Sequence, residues 1–265
     1  MSWLRPDRGG GALAPEPRVV AIVQARFGSH RLPGKVLADI GGKTMLERLL
    51  ARLRRAESPE EIVVATSRAR EDDPIAAACE RVGIRSSRGS AEDVLDRFHQ
   101  AAAEVRADVI IRITGDCPLI DPGLVDATTR SFLAADPPVD FACNRLPWDR
   151  TYPIGTDTEV CTREALETAW REAVEPHQRE HVMPFFYENP DRFRILHVRS
   201  SDPQLGKLRW TVDTAEDLAF VREVYARFAG RDDFSWLEVL DRVRHEPELA
   251  KLNAAVVHKT HRDVG

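Results

Sequence analysis

Three short, largely apolar runs constrain this chain most: Arg18-Val-Val-Ala-Ile-Val23, Glu61-Ile-Val-Val-Ala-Thr66 and Asp108-Val-Ile-Ile-Arg-Ile113. Runs of this length that do not alternate with polar residues read as strands covered on both faces. Helical patterns separate them. Thr44-Met-Leu-Glu47 is a capping box, followed by Leu49, Leu50 and Leu53 at helical spacing. Pro74 opens a second helix that Gly83 ends. Ser90 begins a third, with Asp93 at its third position, and Asp121-Pro122 places an N-cap before a first-turn proline. Strands alternating with helices predict an α/β fold of Rossmann-like kind, a mostly parallel twisted sheet with helices on both faces. Right-handed crossovers then bring the strand C-termini to one edge, where ligands of such sheets bind.

The texture changes after Asp136, where prolines and arginines interrupt the pattern. Thr158–Cys161 and Leu208–Val212 read as strands. Helices are predicted over 162–174 and 177–187, with Pro184 disturbing the latter. Another follows the Thr214-x-x-Asp217 cap, and two short ones lie near 236–244 and 247–252. The division that follows is a disordered extension over 1–17, a single domain over 18–253 with a substrate-facing region at about 136–207, and a tail over 254–265. The extension is Gly/Pro/Arg-rich and lacks the apolar segment of a secretory signal. A cytoplasmic protein is the expectation. With 38 basic against 43 acidic residues the net charge is −5, so the chain lacks the overall positive field of a nucleic-acid binder. No run is long enough for a membrane span. Cys79, Cys117, Cys143 and Cys161 form no CxxC pair and read as free buried thiols.

Two loops carry chemistry. The first apolar run leads into Gln24-Ala-Arg-Phe-Gly-Ser-His-Arg-Leu-Pro-Gly-Lys35, which offers Arg26, Arg31, Lys35, the Ser29 hydroxyl and two glycines. Backbone N–H groups and cations in such a loop make a polyphosphate cradle. It is not a Walker loop: five residues separate Gly28 from Gly34, and Val36 stands where Ser or Thr is required. The third run leads into Thr114-Gly-Asp-Cys-Pro-Leu-Ile-Asp121, which puts Asp116 at the ligand edge. Trp210-Thr-Val-Asp213 does the same for Asp213. Two such carboxylates suffice for Mg²⁺ when phosphates and water complete its shell. Asp121 and Asp217 read as caps. His177 and His181 are four apart but lack the further ligands of a zinc site.

These residues resemble the cytidylyltransferases that activate acidic sugars, the acylneuraminate and 3-deoxy-manno-octulosonate group. They are more similar still to the branch named for spore-coat polysaccharide biosynthesis protein F. The resemblance rests on Gln24-Ala-Arg26, Arg31-Leu-Pro-Gly-Lys35, Gly89-Ser-x-x-Asp-Val-Leu-Asp-Arg97, Ile113-Thr-Gly-Asp-Cys-Pro-Leu-Ile120, Arg179-Glu-His-Val182 and Arg209-Trp-Thr-Val-Asp-Thr214. It spans Val19 to about Asn253. It implies the nucleotide-diphospho-sugar transferase fold, CTP and Mg²⁺ binding, CMP transfer and a homodimer. Carried over by position, Gln24, Ala25, Arg26, Ser29, Arg31 and Lys35 meet the nucleotide, with Gly89 and Asp93 near the base. Asp116 and Asp213 hold the metal, and Asp116 also lies at the nucleotide. The stretch Gly155-Thr-Asp157-Thr-Glu159 resembles the family's Gly-x-Asp-x-Glu, and strand alternation points Asp157 and Glu159 the same way.

The function expected is Mg²⁺-dependent transfer of CMP from CTP to an acidic sugar or other anionic acceptor, in polysaccharide or natural-product biosynthesis. Arg26, Lys35 and Asp157 are its expected catalytic residues. Arg145, Asp157, Glu159, His181 and Arg209 are expected at the acceptor, as is Arg150. The alternatives are a glycosyltransferase using a nucleotide sugar and a non-catalytic nucleotide-binding protein. The basic loop counts against the first, and the retained Lys35, Asp116 and Asp213 count against the second.

Overall fold

The computed structural model describes residues 16–29 and 31–258. Most of the expected extension (1–15) and the last part of the expected tail (259–265) lie outside the described residues. In chain order the elements are β1 (Val19–Gln24), a 3-10 turn (Lys35–Leu37), β2 (Asp39–Ile40), β3 (Lys43–Thr44), α1 (Met45–Leu53), β4 (Glu61–Ser67), α2 (Asp73–Arg81), β5 (Arg85–Gly89), α3 (Val94–Glu104), β6 (Val109–Thr114) and α4 (Pro122–Leu133). There follow β7 (Phe141–Cys143), β8 (Arg145–Leu146), β9 (Asp149–Arg150), β10 (Glu159–Thr162), α5 (Arg163–Glu172), α6 (Pro176–His181), α7 (Pro184–Tyr187), β11 (Ile195–His197), α8 (Ala215–Arg227), α9 (Trp236–His245) and α10 (Pro247–Lys251).

Seven strands form one sheet in the order β11-β7-β10-β6-β1-β4-β5. All neighbours are parallel except β10, which runs antiparallel to both β6 and β7. The three apolar runs are β4, β1 and β6, side by side at the centre. Their alternate residues feed two cores. Ala21, Val23, Val64 and Ile111 pack with α1, α8 and α9 on one face. Val20, Ile22, Val63 and Ile110 pack with α3, α5 and α7 on the other. Both faces are dry, which is why these strands read as unbroken apolar runs.

The caps work as the sequence suggests. Thr44 with Glu47 and Thr214 with Asp217 form reciprocal capping boxes, and the Asp121 side chain accepts from the Leu124 amide. Four expectations change. The third helix starts at Val94, with Asp93 as its N-cap rather than its third residue. The span 177–187 divides into α6 and α7, because Val182 takes a left-handed φ of 68° and Pro184 follows. Leu208–Val212 is not a strand: among the described residues it makes one β-bridge, parallel, between Ile154 and Arg209, and its Val212 amide donates to Asp116 O at 2.9 Å. And residues 254–258, read as part of a tail, run back toward the ligand edge, anchored where Asn253 Nδ2 donates to Arg209 O and Asp217 Oδ1, both at 3.0 Å.

Gly155 makes that single bridge feasible. Its φ is 103°, and a β-carbon there would lie 2.6 Å from Thr211 N and 2.7 Å from Trp210 C. No side chain fits against a backbone that close. Gly155→Ala is therefore expected to force the two segments apart, at a cost of about 1–3 kcal/mol. Urea denaturation followed by tryptophan fluorescence measures it, since Trp210 lies in the displaced segment.

Candidate active site

The C-terminal ends of β1 and β6 open into a basin lined by Gln24, Ala25, Thr114 and Gly115 at its floor. The Gly115 amide donates to Gln24 O at 2.8 Å, and a β-carbon on Gly115 would sit 2.5 Å from that oxygen. The bare glycine lets the two strand ends close up, which carries Asp116 to the basin wall.

The loop after β1 wraps tightly. Gly34 N donates to Phe27 O (2.9 Å), Lys35 N to Leu32 O (3.2 Å), and Phe27 N to Asp72 Oδ1 (2.6 Å). This folding turns Lys35 inward. Its Nζ donates to Val212 O at 2.7 Å, Asp213 Oδ1 at 2.9 Å and Asp116 Oδ2 at 3.2 Å. Burial alone would lower the Lys35 pKa, but the two carboxylates outweigh it and the pKa is raised. Asp213 also meets Arg31 Nη2 at 2.9 Å and Arg209 Nη2 at 2.8 Å. Burial raises its pKa, while Lys35, Arg209 and Arg31 bring it down to about 2. Asp116 and Asp213 thus converge as expected, although Asp213 ends an extended segment rather than a strand. Asp116 keeps more of its side chain open, 28% against 15%. Two partly open carboxylates with hard oxygen donors are of the kind that suits Mg²⁺, an ion that needs only one or two protein carboxylates when phosphate and water complete its shell.

On the opposite wall, β8 and β9 form a two-stranded ladder that presents Arg145 and Arg150. Arg150 grips Asp157 with both terminal nitrogens, Nη2 to Oδ2 at 2.9 Å. Arg145 lies 3.7 Å from both Asp157 and Glu159, yet only Asp157, which precedes β10, lines the basin. Glu159 sits behind the wall at 1% exposure and pairs with Arg112, whose Nε also donates to Gln24 Oε1 at 3.0 Å. Burial pushes the Asp157 pKa up, but Arg150 and Arg145 bring it below the ordinary carboxylate value. A carboxylate so held is a counter-ion to two guanidinium groups and a weak proton acceptor.

Arg26, Ser29 and His181 line the basin, and Arg26 Nη2 lies 3.4 Å from Glu180 Oε1. Gly89 and Asp93 do not line it. Gly89 packs on Arg97, and Asp93 caps α3 while pairing with Arg179. Their neighbours Val94 and Arg97 reach the wall instead. Burial, then the nearby Arg26, lowers the Arg97 pKa to about 10. His177 and His181 part company: His177 Nε2 lies 2.9 Å from Glu188 Oε1, while His181 faces the basin. Arg209 is absent from the wall. It is nine-tenths buried and grips Asp217 through Nε (2.9 Å) and Nη2 (2.8 Å). It holds Asp213 in place rather than reaching an acceptor. All four cysteines are free and buried.

Sequence reasoning passed over Arg97, Arg112 and His258, all of which line the basin. Arg112 had a signal, a lone cation inside an apolar strand. Among the described lining residues seven are Lys or Arg and four are Asp or Glu, a surplus of three positive charges. The chain as a whole carries −5. The basin is built for an anion. No helix among the described residues is long and apolar enough to cross a membrane.

Residues 20–229 match the family model described as cytidylyltransferase. The spore coat polysaccharide biosynthesis protein SpsF of Bacillus subtilis is 32% identical over 238 residues, covering 88% of this chain and 96% of its own. A 3-deoxy-manno-octulosonate cytidylyltransferase of Geobacter sulfurreducens is 42% identical over 110 residues, 41% of this chain and 42% of its own. The structure of a cytidylyltransferase from Leptospira borgpetersenii superposes with a TM-score of 0.85 at 32% identity, covering 91% of this chain and 100% of that one.

Because Lys35 is buried between two carboxylates and not an exposed loop cation, Lys35→Met is expected to cost stability as well as turnover. The loss at pH 7 should be about 3 kcal/mol, as for a broken buried ion pair. Lys35 helps hold the Asp213 pKa at about 2, so the wild type loses that contact's contribution as pH falls from about 4 toward 2. The deficit relative to wild type should therefore shrink over that range. Denaturant titrations of both proteins across that range test it.

Proposed function

The chain belongs to the cytidylyltransferase family and is a CTP-dependent nucleotidyltransferase; we propose that it transfers CMP, with Mg²⁺, to an acceptor that is itself an anion. The observation that carries the reading is the excess of positive charge in the basin, arranged as two separate groups. Arg26, Arg31 and Lys35 stand at the β1 loop, and Arg145 and Arg150 at the opposite wall, with Arg112 on β6 between them. One group suits a triphosphate and the other an acidic sugar, a sugar phosphate or a phosphonate.

In this reaction an acceptor oxygen attacks the α-phosphorus of CTP. The new P–O bond forms as the bond to the β-phosphate bridging oxygen breaks, and pyrophosphate departs. Charge gathers on phosphoryl oxygens, so fixed cations lower the barrier more than proton transfer does. Arg26, Arg31 and the Ser29 hydroxyl line the side where the phosphates would rest. Asp116 and Asp213 are the residues to hold Mg²⁺, which when bound neutralises part of the triphosphate charge. Asp157, clamped by Arg150, is a poor base. An acceptor oxygen that arrives ionised needs none, which favours phosphate and phosphonate acceptors within the anionic class. The likeness to SpsF supports a place in surface-polysaccharide assembly.

Pyrophosphate release from CTP should be Mg²⁺-dependent, lost with a chelator, and greatest with one of three acceptor kinds: acidic 3-deoxy sugars, sugar phosphates or phosphonates. Asp116→Asn and Asp213→Asn should each remove most of it. The double variant should be little worse than either, because residues acting as one unit are not additive. Release that ATP or GTP supports better than CTP, or losses that multiply, would count against the reading.

A further inference from the structure

The C-terminal segment brings a histidine to the basin that the reaction scheme above does not use. Asn253 is buried and tied to Arg209 O and Asp217 Oδ1. Five residues later, His258 is exposed at the basin wall, with Nδ1 3.0 Å from Arg209 Nη1. A guanidinium has only donors and stays charged. Arg209 must therefore donate to Nδ1, which leaves Nδ1 without a proton and puts the hydrogen of the neutral ring on Nε2. Protonating His258 would turn this contact into a clash of two cations. Arg209 itself cannot swing away, because Asp217 holds its Nε and Nη2 from the buried side. Desolvation, then Arg150 and Arg209, lower the ring's pKa in keeping with a neutral imidazole.

We infer that His258 is a specificity residue of the acceptor site: a neutral Nε2–H donor, aimed by the Asp217–Arg209 pair, that binds an anionic oxygen of the acceptor. This rests on the anionic-acceptor reading above. It also gives Arg209 a positioning role that differs from direct acceptor binding. The basin's carboxylates are all engaged by cations, Asp116 and Asp213 by Lys35, Asp157 by Arg150 and Glu180 by Arg26. A further neutral donor at the acceptor wall adds affinity for an oxyanion without adding a charge that those carboxylates would compete for.

The test measures steady-state pyrophosphate release by the full-length protein, with whichever of an acidic 3-deoxy sugar, a sugar phosphate and an alkyl phosphonate wild type uses best. His258→Ala should raise the acceptor KM about 10- to 100-fold, the range for a hydrogen bond to a charged group. The KM for CTP should stay within about twofold. His258→Gln, which keeps an N–H donor, should recover most of the affinity, and neither change should lower the melting temperature. An unchanged acceptor KM in His258→Ala overturns the inference, and so does an equal rise in the KM for CTP. Nitrogen NMR of the free protein is independent of any acceptor: the Nε2–H form supports the inference and the Nδ1–H form overturns it. Wild-type protein that releases no pyrophosphate with any of the three acceptors would instead overturn the anionic-acceptor reading, and the NMR result would still judge the ring.

Discussion

The Lys35 ammonium joins three parts of the chain that no regular element connects. It sits in the loop after β1, yet it bonds Asp116, which follows β6, and both Val212 O and Asp213, which precede α8. Those partners are 81, 177 and 178 residues away in sequence. Around this centre the rest of the site is arranged by successive pairing: Arg31 and Arg209 on Asp213, Asp217 on Arg209, and the α8 capping box on Asp217. An ammonium withdrawn from water gains only if its donors are met, and here each of its three N–H groups has an oxygen. The same contact therefore fixes the loop, sets the spacing of the two acidic residues and keeps positive charge at the basin wall.

An acidic chain with a positive basin raises the question of where its other arginines go. Many are spent internally. Arg48 and Arg52 are buried under α1, where their guanidinium groups meet the rings of Tyr225 and Phe234 and the carbonyls of Ile40, Gly41, Ile120, Gly230 and Asp232. These arginines work as multi-toothed hydrogen-bond donors that bind loops to a helix. Arginine count in the sequence is thus a poor guide to the field outside the molecule. The position of each at a strand end or within a helix is the better guide.

The central strands and the helix caps were legible because each depends on local chemistry: unbroken apolar runs for β1, β4 and β6, and Thr-x-x-Glu or Asp-Pro pairs for the caps. The edge strand β5, Arg-Ser-Ser-Arg-Gly, was not. It pairs on one side only and needs no apolar pattern. Strands β7 and β11 are three residues long, too short for any period to show. Leu208–Val212 misled in the other direction, because an apolar stretch packed beside a turn at Gly155 resembles a strand without having a neighbour along its length. At the site, Lys35, Asp116 and Asp213 could be named from motif and strand-end logic. That Asp157 is clamped, that Arg209 faces inward and that His258 returns to the basin depend on contacts between segments far apart in sequence, which carry no local signature.

The one reversed strand has a consequence for how such a molecule can change. Because β10 runs against β6, its entrance lies at the edge where β1 and β6 leave the sheet, so Asp157 and Glu159 are delivered from the opposite chain direction. One half of the basin is then set by loops that leave parallel strands, and the other half by a ladder and turn spliced in before an antiparallel one. Insertions or replacements between β7 and β10 can reshape that second half while the register of β1 on β6 stays as it is. A fold wired this way is modular: one wall of the basin can be exchanged without rebuilding the strands that carry the other.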